Sequence, residues 1–330
     1  MSELLEKILD RDNMNAAYKR VCASKGAGGI DGVTVEELSD YIKENWGSIR
    51  EQIRQRKYKP QPVRRVEIPK LNGGVRKLGI PTVMDRVIQQ GIVQVVSPMC
   101  EPMFSERSYG FRPNRNCEMA IRQLLVYLNE GYEWIVDIDL EKFFDNVPQD
   151  RLMSLVHDIV KDGDTESLIR KYLKAGVMTR QGYEETNLGT PQGGNLSPLL
   201  SNIMLDKLDK ELEARGLRFA RYADDCVIAV KSEASAKRVM HTVTDWIQRK
   251  LGLKVNMTKT YEELRVTTDQ KRYAELMQQC QQILIDEAAV LVDGYYNSCF
   301  VYNTDKVGYA HIYPLDYYHI TDEIKPVGAK

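Results

Sequence analysis

Four aspartates in this 330-residue chain stand where strands normally avoid charge. Asp137 and Asp139 lie two apart in the apolar run Trp134 to Leu140. In a strand both would project from one face while Val136, Ile138 and Leu140 point to the other. Asp224 and Asp225 sit between two further apolar runs, Leu217 to Tyr222 and Cys226 to Val230, at what reads as a hairpin tip. Adjacent like charges repel unless a cation or a proton is shared between them. Mg²⁺ suits such a place, because it takes oxygen ligands and binds through one or two carboxylates plus substrate phosphates. Two such ions about 4 Å apart can stabilise the attacking and the leaving oxygen of a phosphoryl displacement. A lone Asp pair more often serves a turn or a helix cap, so the reading depends on what accompanies these four.

The elements that would position them alternate between helix and short strand. Leu4, Leu5, Ile8, Leu9 and later Leu38, Tyr41, Ile42, Ile49, Ile53 recur at helical spacing, giving helix, glycine-rich loop, helix before Pro60, with Met1 to Asn15 as one amphipathic helix. Val63 to Pro69 and Val75 to Ile80 read as a hairpin around Asn72-Gly73-Gly74, residues that tolerate the positive φ of tight turns. Helices are expected over Pro81 to Met103, Asn116 to Asn129, Arg151 to Ala175, Leu199 to Arg215 and Ser235 to Leu251. The fold class is therefore α+β, with helices packed on a small antiparallel sheet. At this length two or three subdomains, each with its own core, are expected.

Composition excludes several classes. No apolar run approaches the roughly 20 residues that span a bilayer, and the N-terminus lacks a secretory apolar core, so no membrane segment and a cytoplasmic location are expected. The six cysteines have no C-x-x-C spacing and the four histidines are isolated, which argues against a zinc site or a disulfide framework. Net charge is −1, but residues 263–330 are acidic and the remainder mildly basic. A basic patch at Arg54, Arg56, Lys57, Lys59, Arg64 and Arg65 could meet phosphates or could simply be a solvated helix end.

Taken in order, the basic hairpin, SYGFRPNR at 108–115, Trp134 to Asp145, GTPQGGNLSP at Gly189 to Pro198 and Tyr222-Ala223-Asp224-Asp225 resemble reverse transcriptases of the group II intron type, over about Leu4 to Thr260. The resemblance implies a right-hand polymerase with fingers and palm but no recognisable thumb. It divides the chain into an N-terminal helical extension at 1–60, fingers at 61–133 and a palm at 134–262, with a further part of the fingers near 150–190.

By the same resemblance Asp139, Asp224 and Asp225 are the catalytic, metal-binding carboxylates for Mg²⁺, with Asp137 a neighbour of undefined role. Lys70 and Arg76 would grip the incoming triphosphate, Arg as a bidentate donor and Lys as a mobile charge. Phe144 falls at the steric gate that excludes a 2′-hydroxyl, or else packs in the core. Gln192 would contact the nucleotide, or else bond its own loop, and Gly193 and Gly194 would let backbone approach the substrate. Lys259 matches the lysine that protonates departing pyrophosphate, help typically contributing about 10²- to 10⁴-fold. Asp145 is expected to cap the next helix, and Arg112 and Asn114 to hold template or fingers structure.

The implied activity is RNA-directed DNA polymerisation, with an RNA template, a DNA primer and dNTPs as partners, group II intron RNA as a further one, and a homodimer left open. A non-catalytic, maturase-like intron RNA-binding remnant is the alternative. Residues 263–330 depart from the pattern: Arg272 to Ile324 resembles the C-terminal end of peptide-type extracellular solute-binding proteins, as a fusion scar would, or forms a replacement thumb. Arg272 to Ala288 is expected to be helical.

Overall fold

The computed structural model describes residues 2–69, 75–190 and 193–256, with two short paired strands at Val307–Tyr309 and Lys325–Pro326. The chain opens with α1 (Glu3–Ile8) and α2 (Arg11–Ala23), not with one helix over Met1 to Asn15. Asp10 makes the break, because its carboxylate accepts from the backbone N–H of Asp12 and Asn13 and so starts a second helix. After the glycine-rich loop, α3 (Leu38–Arg54) buries Leu38, Ile49 and Ile53. The expected Arg272 to Ala288 helix lies outside the described residues.

β1 (Val63–Pro69) and β2 (Val75–Ile80) pair antiparallel from Arg64↔Ile80 to Pro69↔Val75. The Asn72-Gly73-Gly74 turn lies outside the described residues. α4 (Val83–Cys100) follows, and every side chain from Val83 to Ile92 is buried, so this helix runs through the centre of the fold. α5 (Cys117–Asn129) starts at the Asn116 cap and leads into β3 (Trp134–Ile138). α6 (Phe143–Asn146) is a single turn, and α7 (Gln149–Val160) and α8 (Gly163–Leu173) replace the one helix expected over Arg151 to Ala175. Lys161 adopts a left-handed φ of 49°, and Asp162 then caps Thr165 N at 2.9 Å.

The three-residue strands β4 (Val177–Thr179) and β5 (Gly182–Glu184) were not legible as strands. They complete a sheet of order β2-β1-β4-β5, in which β1 and β4 run parallel. The single small antiparallel sheet is thus corrected to one mixed and one antiparallel sheet, because the β4–β5 hairpin adds to the β1 edge. α9 (Ser197–Ala214), β6 (Arg218–Tyr222), β7 (Asp225–Val230) and α10 (Glu233–Trp246) follow and bring in the second sheet. That antiparallel sheet has the order β3-β7-β6.

The buried apolar residues from Leu5 to Val255 form one continuous cluster, beside a small satellite of Tyr109, Ala120 and Ala220. Among the described residues the core is therefore continuous, not divided between the expected subdomains. The cause is α4, which packs against α1, α2, α3, α7 and α9 at once and so joins regions that the sequence order keeps apart. No helix among the described residues is long and apolar enough to cross a membrane.

Candidate active site

The antiparallel register of β3 and β7 sets Trp134 against Val230 and Ile138 against Cys226. Asp139 follows the last pair directly, at the end of the sheet where β7 begins with Asp225. Asp137 lies opposite Val227, so Asp137, Asp139 and Asp225 share one face of the sheet. β6 and β7 close at Tyr222↔Asp225, leaving Ala223 and Asp224 as the two-residue turn, with Ala223 at a left-handed φ of 57°. All four carboxylates are half-buried.

A fourth strand-like contact covers the β3 end. Leu140 pairs with Val255, Glu141 N donates to Lys254 O at 2.8 Å, and Asn256 N donates to Asp139 O at 2.8 Å. Asn256 Nδ2 donates to Asp139 Oδ2 at 3.3 Å, which orients that carboxylate. Among the described residues no group of three or more carboxylate, thiol or imidazole side chains is gathered closely enough to hold a metal unaided. The donors present are all carboxylate oxygens, the chemistry of a hard divalent cation whose remaining ligands are water and phosphate.

Phe144 lies on α6, half-buried, its ring edge-on to the buried Phe143 at 5.2 Å. Its carbonyl accepts from Thr190 N at 2.7 Å, and Gly189 N donates to Val147 O at 2.8 Å, so α6 carries the glycine-rich loop. The other end of that loop meets β2: a Cβ at Gly193 would stand 2.6 Å from the Gly79 carbonyl. The close approach to Gly79 thus requires glycine at 193, whatever the loop does toward a substrate. Arg76 pairs with Ile68 in the β1–β2 ladder. Lys70, Gln192 and Lys259 lie outside the described residues.

Two other expectations change. Asp145 does not cap α7, whose cap position is Pro148; Asp145 sits inside α6. In the basic patch, Arg54 binds Glu6 through two nitrogens, Arg56 binds Asp164 at 2.6 Å, and Arg64 donates to Gly28 O at 2.8 Å. Those cations fasten the N-terminal helices, while Lys57 and Lys59 remain exposed. Arg112 is buried and donates to Glu101 and to the carbonyls of Ser105 and Ser108, so it holds the 101–108 turn.

Sequence reasoning missed the groups that hold the Asp224-Asp225 turn. The fully buried Arg221 forks onto Asp209 at 2.7 and 2.6 Å. Burial works against its charge, but the Asp209 carboxylate outweighs this and holds the guanidinium pKa above the ordinary value. A Cβ at Gly110 would stand 2.1 Å from Ala223 N, so the 105–112 loop lies directly on the turn. The available signal was an arginine and an aspartate at inward positions of otherwise apolar elements.

Comparison with known proteins accords with this layout. Residues 68–284 match the family described as reverse transcriptase (RNA-dependent DNA polymerase). The chain is 32% identical over 300 residues to Protein YkfC of Escherichia coli (strain K12), covering 79% of each. It is 35% identical over 243 residues to the group II intron-encoded protein LtrA of Lactococcus lactis subsp. cremoris, covering 73% of this chain and 40% of that one. A solved partial Cas6-RT-Cas1–Cas2 complex aligns with a TM-score of 0.48 and 23% identity over 75% of this chain and 43% of that one. The chain belongs to the reverse transcriptase family, and its domain is of the group II intron type. Enzymes of this family use divalent metal ions. The family match runs to residue 284 and takes in 272–284, and no comparison supports the solute-binding resemblance expected for that segment.

Proposed function

We propose that this chain catalyses RNA-directed DNA synthesis, adding a dNTP to a DNA primer on an RNA template. What supports the reading is the β3–β7 register, whose last pair Ile138↔Cys226 lies one residue from both Asp139 and Asp225, beside the turn that holds Asp224. In the reaction the primer 3′-hydroxyl gives its proton to solvent as its oxygen bonds to the α-phosphorus, the bond from that phosphorus to the α–β bridging oxygen breaks, and pyrophosphate leaves. Mg²⁺ held by Asp139, Asp224 and Asp225 would lower the pKa of the attacking hydroxyl and neutralise the phosphates.

The chain's own groups do the rest. Asn256 orients Asp139, Phe144 excludes a 2′-hydroxyl, and Gln192 with Gly193 borders the nucleotide. Lys70 and Arg76 bind the triphosphate from the fingers, and Lys259 gives a proton to pyrophosphate. Residues 1–60 serve as an extension against the template, 61–133 as fingers and 134–262 as palm. Group II intron RNA is the RNA partner this reading assigns, and the location is cytoplasmic.

Primer extension on an RNA template with dNTPs and Mg²⁺, comparing the parent with Asp224→Ala, tests the reading. Extension by the parent and its loss in the variant is expected. A parent that binds primer and template but adds no nucleotide would leave only an RNA-binding role.

A further inference from the structure

Arg221 stands three residues before Asp224, and its side chain has no exposed surface. A guanidinium cut off from water is tolerated only when its N–H groups find acceptors. Here Nε and Nη2 meet the two oxygens of Asp209, Nη2 also meets Ser108 Oγ at 2.8 Å, and Nη1 meets Asn202 Oδ1 at 3.0 Å. The remaining bond, Nη1 to the Ala223 carbonyl at 2.6 Å, lands on the peptide that joins Ala223 to Asp224.

One side chain thus ties α9, the 105–112 loop and the catalytic turn together. Asn202 doubles the tie through Nδ2 to Gly110 O at 2.9 Å. Backbone bonds run alongside, Tyr109 N to Arg221 O at 2.8 Å and Arg221 N to Arg107 O at 2.9 Å. The turn needs such support, because Ala223 holds a left-handed φ that a non-glycine residue seldom adopts. Stability alone is a weak reason for this pair, since apolar replacements of buried ion pairs are often neutral or stabilising.

We infer that Arg221, Asp209, Asn202 and Ser108 are positioning residues that set the orientation of the Asp224-Asp225 turn and thereby its affinity for a divalent cation. The inference rests on the polymerase reading of those two carboxylates. Groups that orient metal ligands typically change affinity or rate by about 10- to 100-fold when removed.

Arg221→Lys tests it, because lysine can keep an ion pair with Asp209 but cannot reach Asn202, Ser108 and Ala223 together. Mn²⁺ binding is measured by calorimetry on the full chain with primer and template bound, at a temperature where melting shows parent and variant both folded. The expected result is Mn²⁺ affinity lower by about 10- to 100-fold, a matching fall in single-turnover extension, and unchanged primer–template affinity. Unchanged Mn²⁺ affinity would overturn the inference. Ser108→Ala, which removes one acceptor, is the second variant and decides the matter if Arg221→Lys does not fold: a loss of about 3- to 10-fold is expected, and none would overturn the inference. If the parent extends no primer while Mn²⁺ affinity still follows these substitutions, the polymerase reading fails and the positioning role of Arg221 and its partners stands. If extension works and Mn²⁺ affinity is indifferent, the positioning role alone fails.

Discussion

Replacing Gly110 by alanine should displace the Ala223-Asp224 turn, proposed to be catalytic, without touching a carboxylate. The added Cβ would stand 2.1 Å from Ala223 N, 2.8 Å from Ala223 Cα and 3.0 Å from the Tyr222 carbonyl carbon. All three are backbone atoms, so no side chain can swing away. Relief to an ordinary contact of 3.4 Å needs a separation of about 1.3 Å between the 105–112 loop and the turn. Overpacking of this kind costs about 1–3 kcal/mol in stability. A domain with about 5 kcal/mol to spare would still keep more than nine molecules in ten folded. A misplacement of about 1 Å at reacting groups can cost about 10²-fold in rate, so the expected loss in single-turnover extension far exceeds the loss of folded protein. Gly47→Ala is the control, because that glycine is exposed on α3 with nothing near its Cβ position, and alanine there should stabilise by about 0.5–1 kcal/mol at unchanged rate. Parent-like extension by Gly110→Ala, with a melting temperature also like the parent's, would refute the reasoning.

Phe144→Ala should admit ribonucleotides, raising the ratio of NTP to dNTP incorporation by roughly 10- to 200-fold in competition assays; an unchanged ratio would return Phe144 to a packing role. Asp85 is buried beneath hydroxyls of Tyr58, Thr82 and Tyr172, and burial pushes its carboxyl above the ordinary 3.8. The folded state then holds the proton more tightly, so this group's contribution to stability is full below pH 3.8 and is lost as pH rises through the folded value. The stability deficit of Asp85→Asn relative to the parent should therefore shrink as pH rises from 3.8, and chemical unfolding across that range would show a constant or widening deficit if the assignment is wrong. Replacing the exposed Lys57 and Lys59 by alanine should weaken RNA binding uniformly across sequences and flatten its salt dependence by about one unit for each phosphate no longer neutralised. Parent-like salt slopes would remove both lysines from the interface.

The carboxylate strand and the hairpin were readable because alternation fixes which face a strand residue takes, and a charge inside an apolar run is conspicuous. The register ends at Ile138↔Cys226, one residue from both Asp139 and Asp225. The support beneath them was not readable. Arg221 and Asp209 are 12 residues apart on a strand and a helix, and Ser108 meets Arg221 across 113 residues of sequence. Nothing local in those positions announces the contact. The β4–β5 hairpin escaped because three-residue strands carry too little alternation to register, and Asp10 and Asp162 broke expected helices because one capping carboxylate outweighs the apolar spacing that runs through it. Lys70, Gln192 and Lys259 remain assignments by resemblance.

The most direct measurement is addition of one nucleotide to a DNA primer on a defined RNA template, with each dNTP offered separately to the parent and to Asp139→Asn. The parent is expected to add only the complementary dNTP. The variant should bind primer and template equally well yet react about 10³-fold more slowly, which corresponds to about 4 kcal/mol of lost transition-state stabilisation. Equal rates for the two chains, or addition by the parent without regard to the template base, would contradict the account.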